Sequence, residues 1–218
     1  MNIEQARFNM IEQQIRPWEV IDQRILNLMH EVPREEFVPL AYRKLAFADT
    51  NIPLGHEQVM MAPKLEGRIL QSLMLTPKDR VLEIGTGSGY FTALLAKLAE
   101  HVDSVDIFPD IIATAQERLD ALNIHNVSLH VGDAIKGWNS DTKYDVIVIT
   151  GSVPCVESHF QKQLNDGGCL FAIVGNAPLM QAQLTNCIDA NNLDTETLFE
   201  TSLPSLVGIT PTSSKFTF

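Results

Sequence analysis

Residues 81–90 read Val81-Leu82-Glu83-Ile84-Gly85-Thr86-Gly87-Ser88-Gly89-Tyr90, an apolar run that meets three glycines at alternate positions. A stretch with helical patterning, Phe91 to Leu98, follows directly. Strand, tight turn and helix start in that order let a ligand lie against bare backbone, because glycine adopts turn conformations that other residues avoid and the first helical N–H groups are unpaired. The spacing departs from the dinucleotide fingerprint G-x-G-x-x-G: its third glycine would stand at Tyr90, but here it comes one residue early, at Gly89.

Further candidates follow from the rule that open parallel sheets bind ligands beyond the carboxyl ends of their strands. A second strand ends at Asp106-Ile107, where an acid can take both hydroxyls of a ribose. A third runs into Gly132-Asp133-Ala134. A fourth ends at Thr150-Gly151-Ser152. Each has a plainer reading. Asp106 could be a solvated strand-end residue, Asp133 a turn former after glycine, and Glu83 an anchor that bonds backbone amides of the glycine loop.

Glu83-x-Gly85-x-Gly87-x-Gly89 resembles motif I of the S-adenosylmethionine (SAM) dependent methyltransferases. The resemblance implies SAM as cofactor, with Glu83, Gly85, Thr86, Gly87, Ser88 and Gly89 around its amino-acid moiety. It also implies Asp106 and Ile107 at the ribose, and Gly132, Asp133 and Ala134 by the adenine. No metal is implied, since His56-Glu57 lacks a second histidine four residues on.

A more specific likeness runs through the N-terminal third. Val32-Pro33-Arg34-Glu35-Glu36-Phe37-Val38-Pro39, then Ala46-Phe47-Ala48-Asp49 and Pro53-Leu54-Gly55, resemble the protein-L-isoaspartate O-methyltransferases. Leu164-Asn165-Asp166-Gly167-Gly168 and, loosely, Leu203-Pro204-Ser205-Leu206-Val207 continue the likeness. It implies a protein-repair enzyme that methylates the free carboxylate of isoaspartyl residues in damaged proteins. Gln58, Val59, Met61 and Thr150 would then surround the acceptor. The chain departs from the family here. The family's Q-T-I-S-x-P segment reads Gln58-Val59-Met60-Met61-Ala62-Pro63, so a Thr and a Ser have become Val59 and Met61. A lost hydrogen bond to a charged group costs about 1.5–3 kcal/mol. Backbone amides, Thr50 or Ser152 are the candidates to compensate.

The same apolar pair also suits a less polar acceptor, a small aromatic or quinone-like hydroxyl, with His56, Glu57 or Glu66 as the base such a group needs. Met60 reads more simply as core packing and His56 as a loop residue. A third possibility is a SAM-binding module without turnover. The glycine spacing ranks a nicotinamide oxidoreductase lower, and the charge disfavours RNA methylation.

Composition fits these readings. The chain has 218 residues, 45% of them hydrophobic, and a net charge of −11 from 27 acidic and 16 basic residues, a balance that repels nucleic acid on average. Cys155, Cys169 and Cys187 are odd in number and widely spaced, which indicates neither a disulfide framework nor a zinc site. Without an apolar span or a leader-like N-terminus, the expectation is a cytoplasmic protein away from membranes. Oligomeric state is not legible.

Periodicity supplies the elements that position these residues. Helices are expected over 3–15, 19–31 and 63–74, with residues 40–63 irregular and no strand in the N-terminal third. From residue 80, strands at 80–84, 102–106, 127–131, 144–150 and 168–174 alternate with helices at 91–99, 110–122 (capped by Asp110) and 159–164. Residues 181–188 are strand or helix, Asn191-Asn192 marks a turn, and 196–206 is extended. The assembly expected is an α/β fold: a doubly wound, Rossmann-like, mostly parallel sheet with a C-terminal antiparallel hairpin and an N-terminal helical extension. Residues 1–75 would form the helical and substrate-loop region, and 76–218 the cofactor-binding domain.

Overall fold

The computed structural model describes residues 2–139, 141–189 and 192–208. Helix α1 (Ile3–Met10) starts at Asn2, whose side chain accepts from the Gln5 N–H, and widens into a π turn over Ile11–Ile15. Pro17 then tightens the chain into a 3₁₀ turn, and Glu19 reverses it at φ 62°. Helix α2 (Gln23–Glu31) therefore begins four residues later than expected, capped by Asp22. The segment expected to be irregular holds a 3₁₀ helix, Leu40–Leu45, and a small antiparallel hairpin of β1 (Ile52–Gly55) and β2 (Gln58–Met60). These strands are too short to show alternation. The turn between them places Gly55, His56 and Glu57 in succession at positive φ, which only Gly55 announces by residue type.

Helix α3 (Pro63–Ser72) starts on its proline. The alternating region follows with β3 (Arg80–Ile84), α4 (Tyr90–Leu98), β4 (His101–Asp106), α5 (Pro109–Ala121), β5 (Val127–Val131), β6 (Tyr144–Val153), α6 (Ser158–Lys162), β7 (Leu164–Asn176), β8 (Leu179–Asp189) and β9 (Asn192–Thr201). Asp110 does not cap α5. Phe108 occupies that position and Pro109 opens the helix, leaving Asp110 in the first turn free to pair with His56 at 2.9 Å. Residues 181–188 resolve as strand, and of the expected turn Asn191 lies outside the described residues.

The sheet order is β5-β4-β3-β6-β7-β8-β9. Strands β3 to β7 pair in parallel, while β8 and β9 add antiparallel to one edge. This is the α/β sheet with an antiparallel end that the patterning predicts. Alternation divides the strands between two cores. Val81, Val146, Val148, Phe171 and Ile173 face one, and Leu82, Ile147, Ile149, Leu170 and Ala172 face the other. The N-terminal elements do not build a core of their own: Met10, Ile15, Leu26, Met29 and Phe37 join the first. No helix among the described residues is long and apolar enough to cross a membrane.

One charged group lies wholly inside this packing. Arg34 has no exposed surface; its Nε donates to the Ala46 carbonyl at 2.9 Å, Nη2 donates to the Met61 carbonyl at 2.6 Å, and Nη1 pairs with Glu66. Its guanidinium also lies 4.9 Å from the Tyr90 ring centroid. Breaking a buried pair leaves an uncompensated charge, whereas replacing both partners by apolar groups is often neutral. Arg34→Met is expected to lower unfolding free energy in urea by about 3–5 kcal/mol, and Arg34→Met/Glu66→Leu to recover most of that.

Candidate active site at the carboxyl ends of the strands

The glycine turn is shaped by what presses on it. Gly85, at φ 101°, follows β3, and a Cβ there would stand 2.3 Å from Thr150 Oγ1. That hydroxyl lies 2.6 Å from the Gly85 carbonyl and 2.9 Å from the Ile84 carbonyl, tying the end of β6 to the turn. Gly89, at φ 81°, precedes α4, and a Cβ there would reach within 3.0 Å of Ala115 in α5. Residue size at these two points therefore sets how closely β6 and α5 approach the turn.

Behind the turn runs a directed chain of hydroxyls. Ser104 and Thr92 donate to Glu83 Oε2 at 2.6 and 2.5 Å, so Thr86, 2.6 Å from Ser104, supplies the proton of that contact. Glu83 is completely buried, and burial pushes its pKa up to about 8 against the pull of the two hydroxyls. It thus supports the loop through side-chain hydroxyls rather than backbone amides. It lines neither cavity described below.

Asp106 joins the turn to the next strand end. Its Oδ2 accepts from the Gly87 N–H and its Oδ1 from the Phe108 N–H, both at 3.1 Å. Burial raises its pKa, and these N–H donors oppose the shift. Asp133 accepts from the Ile135 N–H at 3.0 Å, the turn-forming bond that its plainer reading anticipates. Gly132 leaves room for Trp138, whose ring would lie 2.6 Å from a Cβ.

These strand ends enclose an open cleft of about 590 Å³. Gln58, Val59, Gly85, Gly87, Asp106, Ile107, Gly132, Asp133, Ala134 and Thr150 all line it. A second cavity of about 280 Å³ shares Val59, Gly85, Gly87 and Thr150 with the first and adds Met61, Thr86 and Ser88. Gly89 lies behind the turn with Glu83 and reaches neither. The structure also brings in residues that the sequence reading did not assign to the site, among them Phe108, Ile135, Leu206 and Val207. Phe108 stacks on His56 at 3.9 Å, linking the hairpin tip to the rim of the cleft. Leu206 arrives because Ser152 exchanges backbone hydrogen bonds with Pro204 and Leu206 at 2.9 and 3.0 Å. Only its place in a family-like segment could have pointed to it.

The donor set fits a nucleoside with an amino-acid tail. Bare backbone lies at Gly85 and Gly87, a carboxylate at the β4 end, and apolar surface at Ile107, Phe108 and Ile135 where a purine ring would stack. Gly85→Ala, which drives a methyl into Thr150, is expected to weaken S-adenosylhomocysteine binding at least tenfold by calorimetry. Glu83 yields a second expectation. Its pKa in the folded protein exceeds the usual carboxylate value, so the folded state holds more protons and stability falls as pH rises between about 5 and 8. Glu83→Gln should flatten that slope, on the order of 2–4 kcal/mol, in denaturation series across this range.

The family model for protein-L-isoaspartate(D-aspartate) O-methyltransferase matches residues 5–203. A protein-L-isoaspartate O-methyltransferase from Yersinia enterocolitica is 40% identical over 186 residues, covering 85% of this chain and 88% of the relative. One from Serratia proteamaculans is 41% identical over 169 residues, covering 78% and 81%. Among solved structures, a protein-L-isoaspartate O-methyltransferase superposes with a TM-score of 0.78 at 27% identity, over 93% of this chain and 66% of that one. A Plasmodium falciparum chain crystallised with S-adenosyl-L-homocysteine shares the fold, with a TM-score of 0.78 at 19% identity over 94% and 98%. The glycine turn, the strand-end acids and the N-terminal segments thus converge, and the chain belongs to the SAM-dependent protein-L-isoaspartate O-methyltransferase family.

Proposed function

We propose that this chain methylates the free carboxylate of isoaspartyl residues in proteins, with SAM as methyl donor. The observation that carries the reading is the shared lining of the two cavities: the acceptor segment Val59–Met61 opens onto the same glycine turn and Thr150 that bound the cofactor cleft. When bound, SAM supplies an activated methyl on a sulfonium. Gly85 and Gly87 would hold its amino-acid moiety, Asp106 its ribose, and Ile107, Phe108 and Ile135 its base.

The acceptor makes modest demands. A carboxyl of pKa about 4 is ionised at neutral pH, so the chain's task is alignment and exclusion of water rather than proton removal. Val59 and Met61 give the acceptor no hydroxyl. Thr150 spends its proton on the β3-end carbonyls, Ser152 donates to the Leu203 carbonyl at 2.9 Å, and Thr50 points to Asn51. Ser88 is differently placed. Its oxygen accepts from the Tyr90 N–H at 3.2 Å, its own proton has no acceptor among the described residues, and it borders the acceptor cavity. We assign Ser88 as the hydroxyl that holds the acceptor carboxylate in this chain. The free thiols Cys155, Cys169 and Cys187 suit a reducing compartment, and we place the activity in the cytoplasm.

With labelled SAM, an isoaspartyl peptide should acquire a base-labile methyl ester while its aspartyl twin does not. Cofactor binding without that label would remove the repair reading. Met61→Ser restores a donor beside the acceptor and should raise kcat/KM on the isoaspartyl peptide about tenfold, the equivalent of one modest hydrogen bond to a charged group.

A further inference from the structure

The smaller cavity contains a carboxyl group for which carboxylate methylation has no use. Glu66, in the first turn of α3, is 1% exposed yet borders this cavity beside the glycine turn. Arg34 engages its Oε2, and Oε1 has no partner among the described residues. Val59, Met60, Met61 and Phe91 give the cavity one apolar side, across from the hydroxyl-bearing Thr86, Ser88 and Thr150. A neutral O–H group meets an acceptor for its proton, and an aromatic ring meets a wall of its own polarity.

We infer that the same methyl-donor site also serves an aromatic hydroxyl, an acceptor of the phenol class, with Glu66 as general base and Arg34 as the residue that positions it. This goes beyond the repair reading: it shares the cofactor cleft and not the acceptor. A phenol has a pKa of about 10, so roughly one molecule in a thousand is ionised at pH 7 and a base is required. Burial pushes the Glu66 pKa up to about 7, with the attraction of Arg34 opposing it, which is the range where a general base works best near neutrality. The ionisable groups facing Glu66 are Arg34, from the 3₁₀ turn Arg34–Phe37, and Tyr90, from α4, whose hydroxyl burial holds neutral. In the step, the phenol O–H proton passes to Glu66 Oε1 as the phenol oxygen bonds to the sulfonium methyl carbon and the S–CH₃ bond breaks, its electron pair remaining on sulfur. The products are an aryl methyl ether, the thioether form of the donor and a protonated Glu66, which releases its proton to water. Arg34 contributes by holding Glu66 Oε2 and the Met61 carbonyl together, so base and apolar wall keep one geometry.

The test pairs 4-ethylphenol with an isoaspartyl peptide as alternative acceptors of labelled SAM, from pH 5.5 to 8.5. Calorimetry then measures 4-ethylphenol binding to protein saturated with S-adenosylhomocysteine. The expected result is a base-stable label on 4-ethylphenol, with kcat/KM climbing about tenfold per pH unit below roughly pH 7 and levelling above it. Peptide labelling should stay flat from pH 6 to 8. Glu66→Gln should lower the phenol-to-peptide ratio of kcat/KM about 100-fold while S-adenosylhomocysteine affinity stays within twofold. If that variant does not fold, the wild-type pH profile and the binding isotherm decide. Peptide labelling with neither binding nor labelling of 4-ethylphenol overturns this inference alone. Phenol labelling with a flat pH profile, or undiminished in Glu66→Gln, overturns the role of Glu66. Labelling of neither acceptor overturns this inference and the repair reading together.

Discussion

A single guanidinium without access to water holds the acceptor side of this molecule in place. Arg34 reaches the Ala46 carbonyl, the Met61 carbonyl and the Glu66 carboxylate at once, and its guanidinium lies over the ring of Tyr90 at the start of α4. An ion of this size loses much hydration on burial, and only a full set of partners offsets that loss. The requirement is geometric as well as energetic. The partners come from the loop after the 3₁₀ helix, the acceptor segment, α3 and α4, so satisfying the charge fixes all four relative to one another. With Met61 pinned by its main chain, the neighbouring side chains Val59 and Met60 take their places around the second cavity.

The cofactor side is organised differently, by close approach rather than by charge. Gly85 and Gly89 each face another element across a gap that a methyl group would overfill, so β6 and α5 come nearer the turn than any other residue would permit. Hydroxyl groups stitch the layers. Thr150 binds the end of β3 from the front, while Thr86, Ser104 and Thr92 converge on Glu83 from behind. Asp106 spans both sides by accepting from Gly87 and Phe108. A turn supported this way presents its backbone to a ligand in a preset shape, and less ordering is left for binding to accomplish.

The two carboxyls with the largest upward shifts, Glu66 and Glu83, stand on opposite sides of the glycine turn and serve different ends. Glu83 is sealed under hydroxyl groups and supports the loop. Glu66 is held on one oxygen by Arg34 and lines the smaller cavity. Similar burial thus leaves one acid enclosed behind the turn and the other at a cavity wall.

Much of this was legible in the chain. The apolar runs of β3 and β6, the mixed polar and apolar strands β4 and β5, the off-register third glycine and the acids at the strand ends depend on local spacing, which sequence preserves directly. They suffice for the α/β sheet and the cofactor class, while the family is legible in the N-terminal segments 32–39, 46–49 and 53–55. What the tertiary structure alone decided depends on pairing between distant residues. The hairpin of β1 and β2 has strands of four and three residues, too short for periodicity, and exists through pairing and a run of positive-φ residues at its tip. Glu83 looks like a ligand contact beside the glycines, but successive residues of a strand face opposite sides, and its side is enclosed by Thr92 and Ser104. Glu66 stands in the sequence only as one of three candidate bases near the acceptor segment, with His56 and Glu57. It is buried because Arg34, 32 positions earlier, folds against it, and no local pattern encodes a partner that far away.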